Sequence, residues 1–297
     1  MPFTERLEAR QLLTATLSGG TLTVNGSRAD NRLVVQESDA QILVATQAGD
    51  FSFQTSQVQR IIMNGVGGND TLLVRMQANI PVTIDGGSGD DVIVTQAAFG
   101  VRGIGNDGND TFTTSDPGGI FGSVASGDNT LFGNAGDDSF FVSGEEDPLG
   151  ADYIDGGDGN DEIRGMIGND TLFGGAGNDI IGPLDGQNPD SADFIDGGDG
   201  NDWIDGSAGS DTIFGGAGRD TLFGSGGNDS IRGGSNGDLI FGGRGRDTIR
   251  GDSGNDTIDG GADLDRIFGN TGADTFLTYE RLAGEVLDFN SSEDLQV

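Results

Sequence analysis

The stretch GGDGNDWIDGSAGSDTIFGGAGRDTLF, residues 197–223, is one nine-residue phrase written three times, with aspartate in sixth place and an apolar residue in eighth. Nine such nonamers fill residues 197–277 without a slip, a tenth occupies 188–196, four occupy 147–182, and two begin at 124 and 133, making sixteen. Position 6 is aspartate in fifteen of the sixteen, with Asn129 the exception; position 8 is apolar in all, and positions 1 and 4 are glycine in thirteen each. Five-residue insertions, Val142–Glu146 and Pro183–Gln187, sit in matching contexts and point to an internal duplication offset by 41 residues. A period of this kind fixes the architecture before any other signal is weighed. Collagen is excluded, because glycine never recurs strictly every third residue.

Upstream the phrase thins but persists as GVGGNDTLL at 65, GGSGDDVIV at 86 and GNDGNDTFT at 105, spaced 21 and 19 residues apart, close to two nonamers. Residues from about 60 to 123 therefore read as coils of the same solenoid with the acidic turn on one edge only, NIPVTID (79–85) being an opposite strand. GTLTVNG, NRLVVQ, QILVAT and FSFQ are short alternating segments bounded by turn residues, hence strands that start or cap the stack. Helical periodicity is confined to TERLEARQLL. The expected organisation is an N-terminal segment at 1–18, capping strands and one-edged coils at 19–123, the dense array at 124–277 and a C-terminal strand or cap at 278–297.

Composition narrows the chemistry. The 297 residues include 56 glycines, 49 acidic residues and 15 basic ones, all arginine, for a formal charge of −34. Such a charge opposes a compact state and argues against nucleic acid or anionic lipid as partner. With no cysteine, histidine or lysine, thiolate and imidazole metal sites, histidine triads and Schiff bases are ruled out. No apolar run approaches the ~18 residues of a membrane span, so membrane insertion is not expected. The N-terminus lacks the continuous apolar core of a Sec signal, because Glu5, Arg6, Glu8 and Arg10 interrupt it.

Each unit divides into a six-residue turn and a three-residue strand in which only position 8 points inward. A coil of two units thus buries two apolar side chains, worth ~1.5–3 kcal/mol each, against roughly 1–2 kcal/mol per residue to order its backbone. Such a core is too thin to overcome repulsion between stacked aspartates as well. A cation between successive turns resolves both difficulties. Hard oxygen donors in a flexible glycine loop select calcium over magnesium or zinc, and several calcium ions are expected.

Units such as GGAGNDIIG and GGDGNDWID resemble the G-G-x-G-x-D-x-U-x nonapeptide of RTX, or hemolysin-type, calcium-binding repeats. The resemblance is dense over 124–277 and sparse over 65–113. It implies an all-β parallel β-roll, or β-helix solenoid, with each calcium between turns n and n+2, bound by position-6 aspartates and glycine-loop carbonyls. Carried over, one edge of the long run holds Asp202, Asp220, Asp238, Asp256 and Asp274, and the other Asp193, Asp211, Asp229, Asp247 and Asp265. Asp152, Asp161, Asp170 and Asp179 extend the set, with Asp138 and the sparse-turn residues Asp70, Asp91 and Asp110 before them. Departures at position 4, Ser191, Asn236 and Asp263, mark turns expected to distort, and sites spanning an insertion are expected to be impaired. The family implies a secreted or surface-associated bacterial protein folded by calcium. ERLEARQLL is similar to the LEPRxLL motif of exported or surface proteins, with Ala9 in place of the proline, and EVLDFNSSEDLQV resembles the strand that follows RTX arrays in type I secreted proteins.

Rival readings are weaker. An acidic disordered linker has no reason to keep an apolar eighth column, and an EF-hand lacks its flanking helices and twelfth-position glutamate. Position 9 often carries phenylalanine, but Asp155, Asp196, Arg232 and others interrupt it, so the rings read as scattered outward residues, as does Trp203. Glu145, Glu146 and Asp147 read as a solvated loop rather than paired catalytic carboxylates. No threonine ladder runs along position 3, which removes an ice-binding reading. The chain is expected not to be an enzyme, the alternatives being a polysaccharide-modifying enzyme or an adhesive module with a cell-surface or extracellular polysaccharide as candidate partner.

Overall fold

Triplets such as Thr-Ile-Phe at positions 7–9 favour extended backbone, and strand alternation sends the middle side chain to one face. The computed structural model describes residues 13–97, 101–113, 128–141, 151–164, 168–183, 191–277 and 294–296. All but Leu13 of the LEPRxLL-like segment and of the helical pattern that contains it, the Glu145–Glu146–Asp147 cluster, and nearly all of the two insertions and of the C-terminal segment lie outside the described residues.

The structure is an all-β solenoid of two stacked sheets, one of 13 strands and one of 15, with a single 3-10 turn at Thr55–Gln57 as the one helical element among the described residues. Successive units alternate between the sheets, so each strand pairs in parallel with the strand two units on: Tyr153–Asp158 lies beside Thr171–Ala176 with Ile154 opposite Leu172. Position 8 makes the core. Leu131, Ile154, Leu172, Ile195, Ile213, Ile231, Ile249 and Ile267 come from one sheet, and Phe140, Ile163, Ile181, Ile204, Leu222, Ile240, Ile258 and Phe276 from the other, none more than 2% exposed.

At the N-terminal end the parallel pattern gives way to antiparallel hairpins, Thr14–Ser18 with Thr21–Asn25 and Arg32–Ser38 with Gln41–Thr46 and Gly49–Gln54. Leu22, Val24, Leu33, Val35, Ile42 and Val44 widen the core there. The strands NIPVTID and its neighbours fall in the same two sheets as the dense array, Val82–Ser88 pairing with Val101–Asp107, which pairs with Thr130–Ala135.

Strand length departs from the sequence reading. In the 13-stranded sheet most repeat strands run six residues, as in Thr212–Ala217, while Trp203–Asp205 in the other sheet keeps three. The backbone of positions 2 and 3 still meets that of the next coil, Gly198 opposite Gly216 and Asp199 opposite Ala217, so pairing continues past the apolar triplet.

Position 4 shows why the turns need glycine. Gly200 has φ +142°, and a Cβ there would drive into the backbone carbonyl of Gly177 in the preceding coil. Gly200→Ala is therefore expected to destabilise the folded protein by at least 1–3 kcal/mol, roughly the cost of a strained backbone. Gly226, at position 3, has only Ser207 O at 3.9 Å from such a Cβ, so Gly226→Ala is expected to be nearly neutral. Thermal unfolding of the two variants in calcium checks the contrast.

Candidate metal sites along two aspartate ladders

Position 6 immediately precedes the apolar triplet, and its aspartate is drawn beneath the turn: Asp161, Asp211 and Asp247 are 1% exposed and even Asp152 only 8%. Each carboxylate has one oxygen committed. Oδ1 accepts the backbone N–H of the equivalent residue one coil earlier on the same edge, as Asp220 does from Asp202 at 2.9 Å and Asp229 from Asp211 at 2.9 Å. One edge forms an unbroken ladder through Asn31, Asp70, Asp91, Asp110, Asp138, Asp161, Asp179, Asp202, Asp220, Asp238, Asp256, Asp274 and Asp294. The other runs through Asn129, Asp152, Asp170, Asp193, Asp211, Asp229, Asp247 and Asp265.

The second oxygen is different. Among the described residues, Oδ2 of Asp70, Asp91, Asp110, Asp138, Asp161, Asp179, Asp202, Asp220, Asp238 and Asp256 on the first edge, and of Asp211, Asp229, Asp247 and Asp265 on the second, is buried with no hydrogen-bond partner. The two ion pairs formed among the described residues, Arg164–Glu162 and Arg232–Asp252, involve no position-6 aspartate. A buried acceptor without a donor costs about 1–3 kcal/mol, and more if charged.

The same oxygen explains the glycine at position 1. A Cβ on Gly197 would come 2.5 Å from Oδ2 of Asp202 and 2.6 Å from the carbonyl of Gly215 in the next coil. Gly215 stands in the same relation to Asp220 and Gly233, and Gly224 to Asp229 and Gly242. A carboxylate oxygen and a carbonyl oxygen thus border one spot that only glycine leaves open. No three carboxylates form a cluster among the described residues, so backbone carbonyls would have to complete the six to eight or so oxygens of a calcium shell. The donor set, all hard oxygen beside a glycine turn, fits that ion.

Burial dominates the titration of these groups. It pushes Asp138 and Asp211 up to about 8, Asp70, Asp110, Asp202, Asp229 and Asp238 to about 7, and Asp91, Asp161, Asp179, Asp247 and Asp256 to about 6, from an ordinary 3.8. Burial likewise raises Asp170, Asp193, Asp220 and Asp265. The N–H held by Oδ1 pulls the other way, and neighbouring rungs add repulsion, as Asp110 and Asp161 do to Asp138.

The turns at Asn236 and Asp263 shift without opening the ladder: φ is 73° and 83° there against 140° at Gly218 and 146° at Gly254, and the N–H groups of Gly218 and Gly245 reach the adjoining carbonyls of Ser235 and Ala262 only at 3.2 and 3.3 Å, yet Asp238 and Asp265 keep their rungs at 2.9 Å. Asparagine and aspartate tolerate that region because their side chains can bond locally. Nor do the insertions break the ladders, since Asp138–Asp161 and Asp179–Asp202 each close at 2.8 Å across one.

The structure also brings in residues the aspartate column did not reveal. Asn31 ends one ladder, and GSRADNRLV at 26–34 carries its signal, with asparagine in sixth place. Asn129 preserves the rung, its Oδ1 accepting from Val101 N–H at 3.1 Å. Position 5 forms a second, exposed ladder, with Asn178 N–H on Asn160 Oδ1 at 2.8 Å and Asn201 N–H on Asn178 Oδ1 at 2.7 Å. In the one-edged coils the second edge is apolar: Ile61, Val82 and Val101 align with position 6 and are buried.

Comparison with protein families identifies the repeat. The model of the RTX calcium-binding nonapeptide repeat (4 copies) matches residues 82–97, 125–147, 149–181, 190–222, 214–249 and 241–276, together just over half the chain. The chain belongs to the RTX calcium-binding nonapeptide repeat family. Asp91 and the dense array of position-6 aspartates fall inside the matched segments, while Asp70 and Asp110 lie outside them. No curated protein matches the chain. RTX nonapeptide repeats bind calcium, and an RTX solenoid of this form suggests calcium binding as its biochemical activity.

Proposed function

We propose that this RTX protein is an exported or surface-associated bacterial calcium binder whose solenoid is ordered by the ions it takes up. The position-6 aspartates would hold them: Asp70, Asp91, Asp110, Asp138, Asp161, Asp179, Asp202, Asp220, Asp238, Asp256 and Asp274 along one edge, and Asp152, Asp170, Asp193, Asp211, Asp229, Asp247 and Asp265 along the other. The observation that carries this reading is the row of buried Oδ2 atoms with no donor beside them. Bound calcium supplies positive charge to a chain whose formal charge is −34.

In the rungs whose Oδ2 has no donor, such as those of Asp220 and Asp229, the two oxygens divide the work: Oδ1 satisfies the backbone of the preceding coil, and Oδ2 is left for the ion beside the position-1 glycine. Such carboxylates serve binding rather than turnover, so the chain is read as a binding protein and not as an enzyme. Since binding free energy is folding free energy in such a system, a calcium-poor cytoplasm keeps the chain export-competent and a calcium-rich exterior folds it.

Asp220 offers the test. Asp220→Asn keeps an oxygen for Asp202 N–H but replaces the free Oδ2 with an NH2 group, so calorimetric titration is expected to count fewer calcium ions while the solenoid survives at high calcium. Asp220→Ala loses the rung too and is expected to be less stable than Asp220→Asn by about 1–3 kcal/mol, the penalty of a stranded N–H. Full calcium stoichiometry in Asp220→Asn would remove the assignment.

A further inference from the structure

The 13-stranded sheet carries a row of aromatic rings on its outer face that the sequence, taken column by column, hides. Phenylalanine at position 9 occurs on alternate strands there, at Phe132, Phe173 and Phe214, and the strands between carry Asp155 and Asp196. On those intervening strands the ring moves to position 7, as Tyr153 and Phe194, while the phenylalanine-bearing strands have Thr130, Thr171 and Thr212 there. The scattered rings therefore join into one stripe. Centroids from Phe132 through Tyr153, Phe173 and Phe194 to Phe214 are 5.7, 5.6, 5.8 and 5.5 Å apart. The Arg102 guanidinium closes one end over Phe132 at 5.3 Å. Phe194 is 37% exposed and the other four rings are half-buried, successive rings being tilted by 44–51°, so the stripe is a herringbone with part of each ring in solvent.

This checkerboard is what the 41-residue duplication builds: 132, 173 and 214, 153 and 194, 155 and 196 each differ by 41. The repeat spans two strand spacings, about 9.5 Å. We infer that this face is a binding platform for a neutral, extended β-1,4-linked polysaccharide lying along the solenoid axis.

The exposed parts of the tilted rings offer apolar surface to the C–H faces of pyranose units, and Asp155, Asp196 and the three threonines alternate with them as partners for ring hydroxyls. Two strand spacings are commensurate with the disaccharide repeat of such a chain. Burial raises the carboxyl groups of Asp155 and Asp196, and the Gly198 N–H donated to Asp196 pulls the latter the other way. Charge within the stripe selects among occupants: the carboxylates of Asp155 and Asp196 disfavour a second copy of this face, an acidic polysaccharide and nucleic acid.

The test uses the full chain in saturating calcium, with folding verified by circular dichroism so that failure of calcium binding is seen separately. Retention on insoluble cellulose and chitin and calorimetry with cellohexaose are expected to show binding. Phe173→Ala and Phe194→Ala are each expected to weaken it by roughly tenfold, the scale of one lost aromatic stack. Asp155→Asn/Asp196→Asn, which leaves every ring in place, is expected to weaken binding without loss of structure, and Phe241→Ala on the opposite sheet to leave it unchanged. The proposal is overturned if the folded wild type is not retained by either polymer, if polygalacturonate is retained as well as cellulose, or if the stripe variants bind like wild type. It is equally overturned if sedimentation shows a dimer that Phe194→Ala dissociates and no glycan is bound.

Discussion

In chelator at pH 8 the purified chain is expected to lack the far-ultraviolet β signal of the solenoid, and calcium is expected to restore it in one cooperative transition. The expectation follows from two quantities of opposite sign. Each coil of the dense array buries two position-8 side chains such as Ile213 and Leu222, about 3–6 kcal/mol of apolar burial, while ordering eighteen glycine-rich residues costs several times more. Strand hydrogen bonds narrow the gap, but the ladders widen it again. At that pH burial of each ionised Oδ2 opposes folding, and successive carboxylates repel one another along both edges. Magnesium, which demands a tight octahedron and gives up water reluctantly, is expected to restore far less signal at equal concentration. A complete β signal in chelator would mean that hydrogen bonds and the position-8 file suffice by themselves, and the proposed role of calcium in folding would be withdrawn.

The parts of the fold set by periodicity were legible in the sequence, because a nonamer has one register and each column meets one environment. The eighth column had to be the core, and Leu131 through Phe276 are buried accordingly. The sixth column had to be special, and the structure shows in what sense: half of each carboxylate is spent on the backbone, which spacing alone could not reveal. What escaped were features that cross columns or depend on conformation. The aromatic stripe alternates between positions 9 and 7, so a count down either column finds interruptions where the fold places a ring from the other. Asn236 and Asp263 do shift their turns, to φ of 73° and 83°, but the aspartate rungs beside them stay closed at 2.9 Å, which the column pattern could not show. Ile61, Val82 and Val101 align with the acidic column only through strand pairing, since upstream spacings of 21 and 19 residues obscure the frame.

Acidification is expected to act on the calcium-free and calcium-loaded chains in opposite directions. For aspartates such as Asp138, Asp202 and Asp211, burial raises the folded-state value to about 7 or 8, above the ordinary 3.8 that an unfolded chain retains. Between those values the folded state holds more protons than the unfolded one, so stability falls as pH rises. The contribution is fully present below about pH 4 and is lost as pH climbs through the 6 to 8 range of the folded ladders. In chelator, therefore, lowering the pH from 8 to 5 is expected to increase the β signal and the resistance to urea. With calcium the sign reverses over the same window, because a protonated Oδ2 is no longer a ligand and proton and ion compete for one oxygen. Raising pH from 5 to 8 is then expected to tighten calcium binding and release fewer protons per ion bound. Replacement of Asp211 by asparagine removes one of the most strongly raised groups and is expected to flatten both dependences, whereas replacement of the exposed Asp50 of the N-terminal hairpin is not. Parallel pH profiles with and without calcium would reject the buried carboxylates as the shared site of proton and ion.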